Sequence, residues 1–454
     1  MRDVSRLGMQ FAEQMQKVTA ELLGGAAPHS AGEMERRTRE AVLEMGRFLL
    51  GAWLRLLDGS YPESEIKCRC GAKAQYQCRR DGELLTIVGT VHYERAYYLC
   101  AECHEGTYPL DEKLGLRPGQ ISAELESLLG MTRALMTFGK GSELFTRLTL
   151  VDNSAQTMDK ATQNMGAEAV RLEKEWREAS EDGLTLTRQE RAPKDERRLY
   201  GTLDATKVHT REREDEEDQG WRDLKVGAWF ESDAPPPEEP QEDWDVQAKN
   251  LTYYCDFAEA KEFGKLLWAT GIQREALRAK EIIFLGDAAE WIWNLAHEHF
   301  PRAVQTPDQI GGWFHAAEHL ETLAKAVFEE EGARKAWLKD ARQLLWDGHL
   351  LTLIQTCTAL ADQGHGADEA RQAVTYFTNN ASRMNYAAYR KAGYQIGSGT
   401  VESACKQLGI QRMKVPGAMW DLQGARLTAK ARAALLSNQW DILTQRRDYL
   451  PRVA

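Results

Sequence analysis

Apolar residues recur along this chain at two periods, and the switches between them divide it into regions. From Met1 to Leu57 the period is helical, with Gly24-Gly25-Ala26-Ala27-Pro28 breaking the stretch into two amphipathic helices. In the second, Val42, Met45, Leu49, Trp53 and Leu56 share one face, which needs a cover, either the body of the protein or another copy. Leu84 to Val91 and Tyr93 to Leu99 alternate instead, and predict the strands of a hairpin. Tyr108 to Leu116 ends this part, and a mostly helical stretch follows to about Glu190. Within it, Ser142 to Leu148, a break at Val151-Asp152, and Ser154 to Met165 have the proportions of a helix-turn-helix, with Gln156, Lys160 and Gln163 as groove-facing candidates.

The alternating period comes back in Leu199 to Val208 and Trp221 to Phe230, two predicted strands around an acidic hairpin tip, Arg211 to Gln219. Glu231 to Asp245, with Pro235-Pro236-Pro237 and more acids, predicts a flexible or extended loop rather than a packed element. Phe257 to Ala279 is helical, Ile282 to Leu285 a buried strand, and Ala288 onward a helix whose Trp291, Trp293 and Leu295 face a core. Glu321 to Ala387 is almost continuously helical. The expected regions are therefore 1–60, N-terminal helices; 61–115, a cysteine-bearing hairpin; 116–190, helical; 191–320, the first part of a mixed-sheet core; 321–390, a helical insertion; and 391–454, the last part of the core with basic helices. The fold class is α+β and mostly helical.

Composition changes this picture little. The chain has 454 residues, 43% hydrophobic and 28% charged, enough for two or three ordinary domains. No uncharged apolar run approaches the ~20 residues that span a bilayer, and Met1-Arg2-Asp3-Val4-Ser5 lacks the apolar core of a signal peptide, so a cytoplasmic protein is expected. A net charge of −11 argues against a nucleic-acid partner until its distribution is read. Residues 388–454 hold eleven Lys and Arg against four Asp and Glu, a basic end beside an acidic body, which is compatible with one DNA-facing surface.

Candidate chemistry centres on three acids. Gly393-Tyr394-Gln395-Ile396-Gly397-Ser398-Gly399 is a glycine-rich turn that delivers Glu402 onto the start of a helix along which Val401, Cys405, Leu408 and Arg412 keep helical spacing. Asp204 and Asp287 both sit where predicted strands end, the edge at which α/β sheets bind ligands. Capping explains each acid alone. Three carboxylates brought together repel one another unless a hard cation such as Mg²⁺ or Mn²⁺ binds them.

The cysteines form a second cluster. Cys68-Arg69-Cys70-Gly71, Cys78 and Cys100-Ala101-Glu102-Cys103-His104 flank the predicted hairpin in the layout of a zinc ribbon, with Cys68, Cys70, Cys100 and Cys103 as the expected Zn²⁺ ligands and Cys78 or His104 as alternatives for the fourth. His315 and His319 stand four apart with Glu318 between them, but not in the spacing of a zinc protease.

The motifs LDATKV (203–208), WRDLKVGAWF (221–230), GDAAEWIWNLA (286–296), WFHAAEHL (313–320), YFTNNASRMNYAAYRKAGYQIGSGTVESACK (376–406), RMKVPGAMW (412–420) and GAR (424–426) follow one another in an order that resembles the ISKra family of bacterial insertion-sequence transposases, related to the Mutator-like group. The resemblance covers roughly residues 65–445. It implies an RNase H-like core with a helical insertion, and a DDE triad of Asp204, Asp287 and Glu402 holding two Mg²⁺ or Mn²⁺ ions. It also implies DNA as partner, at terminal inverted repeats and target, and a homo-oligomer on that DNA. Lys406, Arg412 and Lys414 would then meet phosphates, Trp420 could stack on an unpaired base, and His315 could assist. One departure stands out. Where family members show Asp-x-x-His, this chain has Gly312-Trp313-Phe314-His315. A second reading is thus a transposase-derived, sequence-specific DNA binder that does not cut.

Overall fold

The computed structural model describes residues 2–59, 63–116, 121–213, 217–241, 246–300, 309–362, 366–397 and 399–449. Parts of two predicted loops, 214–216 and 242–245, lie outside the described residues, as does Ser398 of the glycine-rich turn. The chain divides into two compact units, one of Met1–Met165 with Asp441–Ala454, the other of Gly166–Trp440. The unit boundaries, at 165/166 and 440/441, fall inside two of the expected regions, 116–190 and 391–454.

In the first unit, α1 (Arg2–Gly24) and α2 (Ala31–Asp58) precede a four-stranded antiparallel sheet. Ser30 caps α2 by accepting from the Glu33 N–H at 3.2 Å. The sheet runs in chain order, β1 (Glu65–Lys67), β2 (Lys73–Thr86), β3 (Gly89–Cys100) and β4 (Gly106–Thr107). The turn between β2 and β3 falls at Ile87-Val88, inside what alternation predicted to be one strand from Leu84 to Val91. The apolar tip misled the pattern because it is covered: a Cβ at Gly46 of α2 would meet Val88 at 3.1 Å. Gly89, at φ 105°, supplies the backbone angle the turn needs. Beyond the sheet come α3 (Pro109–Leu114), α4 (Ala123–Leu135), α5 (Phe138–Thr149) and the start of α6 (Ala155–Glu181). Leu125, Leu129, Phe145, Val151, Met158 and Ala161 form the shared core of α4, α5 and α6, while Leu110 of α3 packs with Leu54, Leu84, Val91 and Tyr93.

The second unit takes the rest of α6, then α7 (Gly183–Arg191), and a five-stranded sheet of β5 (Arg198–His209), β6 (Trp221–Glu231), β7 (Lys249–Asp256), β8 (Glu281–Gly286) and β9 (Gln309–Gly311). Its order is β7-β6-β5-β8-β9. β5, β6 and β7 pair antiparallel, whereas β8 pairs parallel with β5 and β9 parallel with β8. The molecule is thus α+β with a mixed sheet. On one face, Leu199, Leu203, Trp229 and Phe284 pack with α8 (Ala260–Gln273) and α9 (Glu290–His299).

The other face carries two clusters. Tyr200, Phe230, Ile283, Leu285 and Ile310 pack under a helical block: α10 (Trp313–Val327), α11 (Glu331–Trp346), α12 (Leu350–Ala361), α13 (Ala367–Asn379) and α14 (Tyr386–Lys391). Val208, Leu224, Val226 and Ala228 pack under α15 (Gly399–Cys405) and α16 (Leu422–Leu436). The chain closes with α17 (Trp440–Tyr449). No described helix is long and apolar enough to cross a membrane.

The proline-rich stretch is extended, as predicted, but it is not loose. Its carbonyls accept from the block: Trp346 Nε1 donates to Glu238 O at 3.0 Å, Trp313 Nε1 to Gln241 O at 3.3 Å, and Gln395 to Ala234 O. Proline offers no N–H but leaves its neighbours' carbonyls free to accept, and composition alone does not reveal that use.

Candidate active site

Register decides where the first two acids stand. β5 and β8 pair from Arg198↔Glu281 to Thr202↔Leu285, an offset of 83 residues that also separates Asp204 from Asp287. Asp204 therefore lies on β5 just past the end of that pairing, and Asp287 lies one residue past the end of β8. The two-residue period places Asp204 on the face of Tyr200, under the helices. Asp204 is not at a strand exit as predicted: β5 continues antiparallel to β6 as far as His209, and only its parallel partner ends. Asp287 follows β8 and accepts from the Ala289 N–H at 3.0 Å, and the residue between them, Ala288, takes φ 74°. A left-handed alanine is strained backbone beside a candidate functional group. The helix there starts at Glu290, two residues later than periodicity predicted.

Glu402 comes from α15, whose Ala404 and Cys405 pack on Val208 and Val226. Cys405, three residues on and hence on the same side as Glu402, donates its thiol to Asp204 Oδ2 at 3.3 Å. Burial raises the Asp204 carboxyl above the ordinary range, and the charges of Asp287 and Glu402 push it in the same direction. The three acids thus feel one another. They are not clenched, since their oxygens do not all lie within 4.8 Å of one another. All three are half-buried.

Positive φ belongs to Gly393 at 73°, just after α14. Tyr394 to Gly397 runs buried and extended. The Gln395 N–H donates to Tyr200 Oη at 3.1 Å, and the Trp313 N–H donates to Ile396 O at 2.8 Å. At Gly399 an added Cβ would touch only Phe314, at 3.9 Å.

A cleft of about 560 Å³ opens beside Glu402, lined by Phe314, Glu318 and Glu321 of α10, Arg342 of α11, and Lys406. Its polar, mixed-charge wall suits a charged ligand with its counter-ions. His315 lies on the first turn of α10. Its Nδ1 is 3.4 Å from Glu318, and its ring meets His319 at 5.0 Å and Tyr376 at 5.9 Å. Tyr376 stacks on His319 at 3.7 Å. Burial pushes the Tyr376 hydroxyl pKa up, and the charges of Asp287 and Glu318 add to it, so this aromatic group stands near Asp287.

Of the proposed DNA contacts, Lys406 and Lys414 are exposed, and Lys406 lines the cleft. Arg412 and Trp420 do not fit their expected roles. Both are buried, the guanidinium 5.0 Å over the indole, and Trp420 Nε1 donates to Met413 O at 3.0 Å. An apolar pocket claims the ring, and the ring claims the cation. The basic end is likewise spent largely inside the fold. Lys430 and Arg432 are buried, Arg426 pairs with Asp256 at 2.8 Å, and Arg447 pairs with Glu126. On the helix pair, Gln156 and Lys160 are exposed on one face of α6, while Gln163 is held by Asp159 at 2.8 Å.

The cysteine cluster resolves to four ligands. Cys68, Cys70, Cys100 and Cys103 bring their sulfurs within 4.8 Å of one another, the one such group among the described residues. Cys78, out on β2, and His104 are not in it. Cys68 to Cys103 is 3.5 Å and Cys70 to Cys100 is 3.7 Å. A tetrahedron of Zn–S bonds at ~2.3 Å has edges of about 3.8 Å, so the set could hold a structural metal such as zinc. Each pair sits on a tight turn: Gly71 N–H donates to Cys68 O at 3.0 Å, and His104 N–H to Cys100 O at 3.0 Å. The Cys103 N–H holds the Cys100 thiol down, whereas Cys68 and Cys103, beside the other sulfurs, are shifted up, so the four share their protons unequally.

Sequence reasoning passed over Cys405 and Tyr376. Cys405 had a signal, its place one turn after Glu402. Tyr376 had none, because its partners come from another helix. No family model matches the chain, and no curated protein does.

Proposed function

We propose that the protein is a DNA transposase of the ISKra type, which cuts and joins DNA strands at insertion-sequence ends on an RNase H-like core. The observation that carries this reading is one juxtaposition: Asp204 on β5 and Asp287 just after the parallel β8, with Glu402 on a helix whose Cys405 touches Asp204, and with the charges of Asp287 and Glu402 both felt at Asp204. A central strand flanked by an antiparallel meander on one side and parallel strands on the other supports the fold assignment. The helical block enters between the second and third acids, where the family resemblance places an insertion.

Three half-buried carboxylates, of which Asp204 is raised first by burial and then by the charges of Asp287 and Glu402, are a fit for divalent cations, because neutralising charge relieves the repulsion. Asp204, Asp287 and Glu402 would hold Mg²⁺ or Mn²⁺, which when bound supplies activation of the attacking oxygen and stabilisation of the leaving 3′ oxygen. The protein's own groups do the rest. The Cys405 thiol fixes Asp204, the left-handed Ala288 aims Asp287, and exposed Lys406 and Lys414 hold backbone phosphates beside the cleft. Gln156 and Lys160 of α6 read a groove, and Zn²⁺ on the four cysteines stiffens the hairpin.

The test is strand cleavage by purified protein on DNA carrying the flanks of its own gene, with Mg²⁺ or Mn²⁺. Cutting that is lost in Asp204→Ala while binding survives supports the enzyme. Binding without cutting in the wild type would replace this reading with the non-cleaving DNA binder.

A further inference from the structure

We propose that the four-cysteine centre is a peroxide-sensitive switch: oxidation joins Cys68 to Cys103 and Cys70 to Cys100 and frees the metal, and a thiol reductant with zinc restores it. The switch rests on the reading that the four sulfurs hold zinc, and gives the same residues a second, metal-free state.

Geometry sets the pairing. Cys68 and Cys70 lie on the turn after β1, Cys100 ends β3, and Cys103 lies on the turn before β4. Cys68 touches Cys103 at 3.5 Å and Cys70 touches Cys100 at 3.7 Å. A disulfide needs ~2.05 Å, so each sulfur has to move by less than about 1 Å, which side-chain rotation supplies. Both contacts run from one turn to the other. The ladder of β2 and β3, which reaches Ala74↔Cys100, already holds the turns at that separation.

Burial sets the order of attack. Cys68 and Cys100 are covered by their own unit, packed with Ala74, Ala96 and Tyr98, whereas Cys70 and Cys103 are exposed. Each touching pair therefore joins an outer sulfur to an inner one. Zinc binds the four as thiolates, the form that reacts with peroxide. The Cys103 thiolate attacks one oxygen of hydrogen peroxide, the O–O bond breaks, hydroxide leaves, and the sulfur becomes a sulfenic acid. The Cys68 thiolate then attacks that sulfur; the S–S bond forms as the S–O bond breaks, and a second hydroxide leaves. Two thiolates have together given up two electrons, and one peroxide has taken them. Cys70 and Cys100 repeat the sequence with a second peroxide, and the zinc, stripped of its ligands, departs.

The experiment treats the full-length, zinc-loaded protein with about two equivalents of hydrogen peroxide per chain. It reads the zinc set free with a colorimetric chelator, the thiols left in denaturant, and the disulfide-linked peptides by mass spectrometry. About one equivalent of zinc should appear as four of the eight thiols disappear, with peptides linked 68 to 103 and 70 to 100. Reductant with zinc should reverse all three. Amide exchange separates this state from simple metal loss: oxidised β1 to β4 should keep the protection that chelation removes, because two cross-links replace the metal. Cys103→His keeps a four-ligand zinc set but removes one pair, so peroxide should link only Cys70 to Cys100. Protein that carries no zinc when purified would remove the metal reading and the switch together. Zinc-bearing protein that keeps its metal and thiols under peroxide would overturn the switch alone, as would linkage of Cys100 to Cys103 or of cysteines outside the centre.

Discussion

At the scale of single residues, the tension at Asp204 has a measurable consequence. Burial first, and then Asp287 and Glu402, raise its pKa above the unfolded value, so the ionised form costs stability at neutral pH and the cost disappears as pH falls through the folded pKa. Asp204→Asn removes that cost. In metal-free buffer near neutrality the variant should melt roughly 2–4 °C above wild type. Added Mg²⁺ or Mn²⁺ should raise the wild-type midpoint by mass action and leave the variant unmoved. Differential scanning fluorimetry with and without cation reads both effects, and an unstable variant would show that Asp204 serves the fold instead. Residue by residue, Asp287 and Glu402 were legible because one follows an apolar strand and the other a glycine-rich turn, whereas Asp204 was picked out for a strand end that the structure does not have. The fates of Arg412 and Trp420 were not, since a local pattern shows what a side chain can do and burial decides what it does.

Among elements, α16 is held to β7 and α6 by a buried charge cluster. Lys430 and Asp256 pair at 3.0 Å, Arg426 takes both Asp256 oxygens at 2.8 and 3.0 Å, and Glu173 of α6 meets Lys430. Burial opposes ionisation of both acids but prevails only at Glu173. At Asp256 it is outweighed by Lys430 and Arg426, and the carboxyl is held down to about 2. A depressed acid stabilises the fold above its unfolded pKa of ~3.9, and that stability is lost as pH falls from about 4 to about 2. Asp256→Asn should therefore cost about 3–5 kcal/mol near neutrality, by leaving two cations facing an uncharged amide. It should also flatten the acid limb of the stability curve. Chemical denaturation at several pH values measures this, and an unchanged acid limb would mean another group governs it. Elements themselves were well marked by periodicity, except where packing covered an apolar turn, as at Ile87-Val88. β7 is the strand the alternation did not bring out. Asn250, at φ 51°, interrupts its start, and Tyr253, Tyr254 and Cys255 form a buried run in place of a period of two.

For the whole molecule, the division into two units separates the cysteine centre, in the first, from the acidic centre, in the second. Removing a metal from one should leave the other intact. Structural zinc sites contribute on the order of 10 kcal/mol to small folds. Stripping the protein with a zinc chelator should therefore abolish amide-exchange protection over β1 to β4, while β5 and β8 keep theirs. Loss of protection across both sheets would show that the two centres share one folding transition. The sequence suggested six regions and not these two units, and the unit boundary within α6 was hidden, because a continuous helix carries no sequence mark where its packing partners change.

The most direct test is to grow or soak crystals with Mn²⁺ and record anomalous scattering at the manganese edge. Peaks bounded by the carboxylates of Asp204, Asp287 and Glu402, absent in crystals of Asp204→Asn, are the predicted result. Clear maps with no manganese between these three residues at saturating concentration, or manganese bound elsewhere on the protein, would contradict the account.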